Sequence, residues 1–314
     1  DECMTRKEIV FVGLSLVLAW LVALPLWLSQ SRPTWLIQVT ALGMMPMPTL
    51  AAIITHRIYH SDKPFIDVTA LRGGKPLTVL RWCCVASFSV VIQLIATIMV
   101  GALSGAGNFS FSDAAVHTRL PHVPGVSSAL DPSTLPPAWL LLVIALVSGI
   151  VGGFSFNAIA ALGEEVGWRG WWASQRQGQN FWVNAVVIGA IWGLWHLPIN
   201  MVGYNYPGAN RVAACSMFVV YCICAGSLLL ELRNRSHSIY PAAVAHSTIN
   251  GLVGICALFM DSSPTMWLVY SPTGVVGCVI LVVITLVLRR IPARPPQASS
   301  MNVDRPQAGM RERY

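Results

Sequence analysis

The chain has 314 residues, of which 55% are hydrophobic and only 11% charged, with 12 tryptophans and 20 prolines. Soluble domains carry about 25% charged residues and disordered chains carry few apolar ones, so both classes are excluded and an all-α, polytopic membrane protein remains. The formal net charge of +7 raises nucleic acid as a partner, a reading that the placement of the charges answers below.

Crossing a bilayer takes about 20 apolar residues. In chain order, stretches of that kind run over 8–30, 35–56, 82–104, 138–164, 181–203, 211–232, 239–260 and 266–288, which predicts about eight spans in a bundle. The first follows Arg6 and Lys7. It is too long for the apolar core of a secretory signal and has no small-residue cleavage site, so a membrane helix is expected. The outer loop at about 105–137 is rich in Ser, Pro and Gly. Its His117 and His122 lack metal-ligand spacing and are expected to be solvated, and Asn108-Phe-Ser is a glycosylation sequon. The cysteines at 83, 84, 215, 222, 224, 256 and 278 lie in apolar runs and read as small hydrophobes. Residues 1–288 therefore form one membrane domain, and the Pro-, Gln- and Arg-rich stretch 289–314 reads as a disordered basic tail.

Orientation follows from lysine and arginine, which favour the cytoplasmic side. With the N-terminus inside, seventeen of the twenty fall on inner segments, and only Arg32, Arg119 and Arg211 fall outside. Both termini are then cytoplasmic. The net charge is a topology signal beside an anionic leaflet, and the partners implied are membrane lipid rather than nucleic acid.

An ionisable group within a bilayer costs ~2.5–3.5 kcal/mol on insertion scales and reads as a functional candidate. Three places qualify: Glu164-Glu165-Val-Gly-Trp168-Arg169, Trp192-Gly-Leu-Trp195-His196-Leu-Pro198, and His246-Ser-Thr-Ile-Asn250. On a helix, Glu165 and Arg169 share a face with the acid on the favourable side, while Glu164 points ~100° away. Glu165 neutralised by Arg169 leaves Glu164 free for proton transfer. His246 and Asn250 also share a face, and their N–H groups suit an oxyanion or a bound water. Glu164 lies at the inner end of its span and His196 deep in its own, so the fourth helix must run on to about Trp172, or a cavity must dip inward. Taken singly, each motif has an ordinary structural explanation, a capped helix end or a packed histidine. One acid, two histidines and an amide on three helices point instead to hydrolysis. A transporter would be expected to show inverted repeats, and none is visible.

These residues resemble the CAAX protease and bacteriocin-processing (CPBP, or Abi) family of intramembrane endopeptidases, which includes the Ras-converting CAAX enzyme. The family pattern of Glu-Glu-x-x-x-Arg, aromatic-x-x-x-His and His-x-x-x-Asn stands here as Glu164-Glu165-Val-Gly-Trp-Arg169, Trp192-Gly-Leu-Trp-His196 and His246-Ser-Thr-Ile-Asn250. It covers about 155–255, within a protease core expected at about 138–260, and Trp192 stands where phenylalanine is usual in eukaryotic members. The resemblance implies that Glu164 and His196 activate water, that His246 and Asn250 form an oxyanion hole, and that Glu165, Arg169 and Trp192 support them. It implies a hydrophobic or lipidated peptide as substrate, with a bacterial leader or bacteriocin-type precursor suggested by the bacterial-looking motifs. The location implied is the cell membrane, or the endoplasmic reticulum in a eukaryotic source. Glu164, His196 and His246 could form a three-ligand zinc site. No His-Glu-x-x-His helix is present and Asn is a poor zinc ligand, so a metal-free enzyme with no required cofactor is favoured. The alternative within the family is a non-proteolytic scaffold or immunity protein, which would have lost a motif residue; none is lost.

Overall fold

The computed structural model describes residues 4–106, 109–120 and 131–292. The sequon at Asn108, His122 and most of the predicted tail lie outside the described residues. Helix α1 (Arg6–Leu28) begins with a capping box in which the Thr5 backbone and hydroxyl both donate to Glu8 at 2.8 Å. Helices α2 (Thr34–Met44) and α3 (Met47–Ile58) make one span interrupted at Met45-Pro46. A short α4 (Phe65–Val68) precedes α5 (Pro76–Leu103), which starts on proline where the missing N–H costs no helical bond.

Over its described residues, the loop expected at about 105–137 is less open than its composition suggests. It contains α6 (Asp113–Arg119), His117 bonds the Pro136 carbonyl at 2.9 Å, and Asp113 accepts the Ala138 N–H at 2.7 Å. His117 is therefore a partly buried strut for the start of the next helix rather than a freely solvated residue.

The predicted fourth span is bent by 54° between α7 (Ala138–Gly153) and a second half over Phe156–Gln175. That half is α8 (Phe156–Glu165), a π-helical turn over Val166–Trp172 and α9 (Ala173–Gln175). The chain thus continues past Glu164 to beyond Trp172, which removes the depth mismatch between Glu164 and the histidines. The predicted fifth span, 181–203, is a helix only over α10 (Phe181–Trp195), followed by the single turn α11 (Leu197–Asn200). Pro198 lacks an N–H, so the α-helical ladder cannot run through it. Long α12 (Arg211–Ser236), α13 (Tyr240–Leu252), α14 (Cys256–Phe259) and α15 (Val275–Arg290) complete the bundle. Among the described residues, six helices are long and apolar enough to cross a membrane, seven with the bent pair counted as one. The 15-residue α10 is the shorter eighth, consistent with about eight spans.

Lipid supplies no hydrophobic drive between helices, so close packing depends on small residues at the crossings. Two Gly-x-x-x-Gly pairs serve here. A Cβ on Gly189 would lie 2.5 Å from the Ile223 Cα, and one on Gly193 2.6 Å from the Val219 Cα, so α10 and α12 touch backbone to backbone. Gly149 and Gly153 admit Leu252 and Thr248 in the same way, joining α7 to α13. The outward faces carry exposed apolar side chains such as Leu28, Phe88, Val147, Phe156, Val212 and Val279, as helices set in lipid require.

Candidate active site

The site is built where the bent fourth span crosses α10 and α13. A π-helical turn widens the backbone and occurs preferentially at functional sites. Here it is seated by Gly167, where a Cβ would come within 2.6 Å of Pro48, and by Gly170, where one would come within 3.0 Å of the Thr69 carbonyl. Trp168, Trp171 and Trp172 of this turn pack around Phe11, with ring centroids 5.5, 5.0 and 5.7 Å from it. Glu8 accepts from Trp172 Nε1 at 3.1 Å and pairs with Arg176 at 2.9 Å, while Arg176 Nε donates to Asn184. The N-terminal helix is thereby bolted to the segment that presents the acids.

Glu164 is 2% exposed, His246 4% and His196 9%, and Glu165 and Arg169 are fully buried. The expected Glu165–Arg169 pair is present at 2.9 Å. The same Glu165 Oε1 also meets His246 Nδ1 at 2.8 Å, so one carboxylate serves both a guanidinium and an imidazole. Glu164 Oε2 accepts the Trp192 indole N–H at 2.7 Å, and its Oε1 lies 3.9 Å from His246 Nε2. His196 Nδ1 bonds the Trp192 carbonyl at 2.8 Å. A carbonyl only accepts, so the ring proton sits on Nδ1 and the neutral ring presents a bare Nε2. Arg169 lies 4.2 Å above the Trp192 ring, and its Nη2 lies against Gly226 of α12, 2.8 Å from where a Cβ there would sit.

The structure brings Glu164, Glu165, Arg169, Trp192, His196 and His246 into one cluster. Around Glu164, the histidine within ion-pair distance is His246, whereas His196 joins through Trp192. Asn250 is one turn beyond His246 on α13 and is exposed, outside the hydrogen bonds of the cluster. Sequence reasoning gave Trp192 only a supporting part; the indole signals a donor in need of a partner, but that the partner is Glu164 depends on how α10 crosses the fourth span. The Glu8–Arg176 pair had no comparable signal, since Glu8 sits among the topology charges of the first span. Among the described residues, no group of three His, Cys, Asp or Glu side chains is arranged to hold a metal ion.

Residues 134–252 match the family model described as type II CAAX prenyl endopeptidase Rce1-like. The curated proteins compared with the chain give no match. The matched range runs through α7 to α13 and contains every residue of the cluster. The buried acids and histidines and the family match thus fall on the same helices of this multi-pass membrane protein, whose residues 134–252 are similar to the Rce1-like CAAX prenyl endopeptidases, consistent with a CPBP-family protease.

Proposed function

We propose that the protein is an intramembrane endopeptidase in which Glu164 and His196 activate a water molecule and His246 and Asn250 stabilise the oxyanion. The observation that carries this reading is the division of labour between adjacent acids. Glu165 is engaged by Arg169 and His246, while Glu164 keeps Oε1 facing the space beside His246. Water attacks the scissile carbonyl carbon and gives its proton to Glu164 Oε1. The C–N bond then breaks, and that proton passes to the leaving amine.

His196, with its proton fixed on Nδ1, offers a lone pair at Nε2 to orient the water. Both nitrogens of His246 face carboxylate oxygens, so both can act as donors, and Nε2 is the one directed at the reacting centre. Asn250 adds its amide from the next turn of α13 as the chain end of the substrate enters. No step requires a metal. Substrates are hydrophobic or lipidated peptides at the membrane surface, a class supported by the match to the prenyl endopeptidase family model. The peptide's origin, bacterial leader or prenylated C-terminus, follows the source membrane: cell membrane in a bacterium, endoplasmic reticulum in a eukaryote. Both termini, on this reading, are cytoplasmic.

The test is cleavage of an internally quenched, farnesylated peptide and of an unlipidated hydrophobic peptide library by detergent-purified full-length protein. Cleavage by the wild type and none by Glu164→Gln supports the reading. Equal cleavage by both discards it, and no cleavage of any peptide by the wild type turns the assignment toward a non-proteolytic scaffold.

A further inference from the structure

Trp192 meets four residues of the cluster: Glu164, Arg169, His196 and His246. Its indole N–H donates to Glu164 Oε2 at 2.7 Å, and its carbonyl accepts from His196 Nδ1 at 2.8 Å. Its ring meets those of His196 and His246 edge to face, with centroids 5.5 and 5.3 Å away, and Arg169 covers it at 4.2 Å. The ring is 3% exposed. It is held from below by the close approach of α10 to α12, since Gly193, the next residue, is in backbone contact with Val219.

Glu164 has two carboxylate oxygens and only one can receive the proton from water. Oε2 already accepts a hydrogen bond from a donor that cannot accept one in return, because an indole nitrogen only donates. Oε1 has no such partner and lies on the His246 side. The indole therefore fixes the carboxylate rotamer and leaves Oε1 as the basic oxygen. A general base must sit within hydrogen-bond reach of the proton it removes, and a free glutamate in this position would rotate between its two oxygens.

We propose that Trp192 is a positioning residue whose indole N–H selects Glu164 Oε1 as the proton-accepting oxygen, acting on the rate of the chemical step and not on substrate binding. This inference rests on the endopeptidase reading, with Glu164 as the base. It assigns the N–H itself a function, separate from the packing that any aromatic ring supplies.

The experiment compares Trp192→Phe with a protein carrying β-(3-benzothienyl)alanine at 192, which keeps the bicyclic ring and replaces N–H with sulfur. Both are assayed as full-length protein in detergent on the farnesylated quenched peptide, beside wild type and Glu164→Gln. Losing a hydrogen bond to a charged group is expected to lower kcat about 10–100-fold, with KM and the thermal midpoint unchanged in the benzothienyl protein. Wild-type kcat in the benzothienyl protein overturns the proposal, as does a loss matched by a higher KM or lower thermal midpoint, which would make Trp192 a packing residue only. Activity in Glu164→Gln would instead remove the base reading itself, so the two failures are told apart. Trp192→Phe reports the added cost of the smaller ring.

Discussion

Glu165 is fully buried and meets two partners, Arg169 at 2.9 Å and His246 at 2.8 Å. Removing one partner of a buried ion pair leaves the other charge uncompensated, at a cost of about 3–5 kcal/mol, while replacing both sides by apolar groups is often neutral. Glu165→Gln is therefore expected to lower the thermal midpoint sharply, and Arg169→Met added to it to restore much of the loss. Neither variant should recover wild-type cleavage, because His246 has lost the carboxylate that orients its ring; stability and activity thus separate in thermal unfolding and peptide assays on the same samples. At Asn250 the expectation is different. On the proposed reading it is one amide in an oxyanion hole, and loss of such a donor costs about 10²–10³-fold in rate, so Asn250→Ala should retain a trace of cleavage where His196→Ala and His246→Ala retain none. Wild-type turnover in Asn250→Ala would remove it from the site, a result that its exposed position on α13 makes informative. The intramembrane acids, the histidines and the i, i+4 pair were readable from the sequence because a polar group in an apolar run is conspicuous. The second bond of Glu165 was not, since it depends on how α13 rotates against the fourth span.

Among the elements, the apolar runs located the spans but not their breaks. Residues 138–164 read as one helix, yet the chain bends by 54° after Gly153 and then continues to Gln175. The bend lies among Gly152, Gly153, Phe154 and Ser155, where a hydropathy average sees only apolar residues and small ones. Proline gave more warning: Pro198 marks the end of α10 at Trp195. The crossings themselves were legible in principle from Gly149-x-x-x-Gly153 and Gly189-x-x-x-Gly193. Because a Cβ at 189 would sit 2.5 Å from a backbone atom of α12, Gly189→Leu cannot be absorbed by a side-chain rotation. Overpacking of this kind costs about 1–3 kcal/mol or more, so the variant should lose stability in denaturant titration of the detergent-solubilised protein, and activity with it because Trp192 lies on the displaced helix. An outward-facing control, Val186→Leu, lies 49% exposed and should leave both unchanged.

For the molecule as a whole, the charge asymmetry is the strongest statement the sequence makes about orientation. Arg235 and Arg289 converge with Glu231 at the C-terminal ends of α12 and α15, in pairs of 2.6 and 2.7 Å. This places part of the predicted inner charge in a specific cluster rather than free at the surface. Single cysteines placed at residues 6 and 292 of a variant in which all eight native cysteines, Cys3 and Cys84 included, are replaced by serine or alanine should be labelled by an impermeant thiol reagent only after the cytoplasmic face is opened. Labelling of either in intact cells would reverse the proposed topology.

The central claim, that Glu164 activates water for peptide hydrolysis without a metal, is tested most directly by one assay. Purified full-length protein and its Glu164→Ala variant are incubated with the farnesylated quenched peptide, with and without a strong zinc chelator, and the products are read by mass spectrometry. The account predicts cleavage by the wild type that survives the chelator and is abolished in Glu164→Ala. Cleavage that disappears with the chelator and returns on adding zinc would contradict it and make Glu164, His196 and His246 ligands. Undiminished cleavage by Glu164→Ala would remove the acid from the reaction altogether.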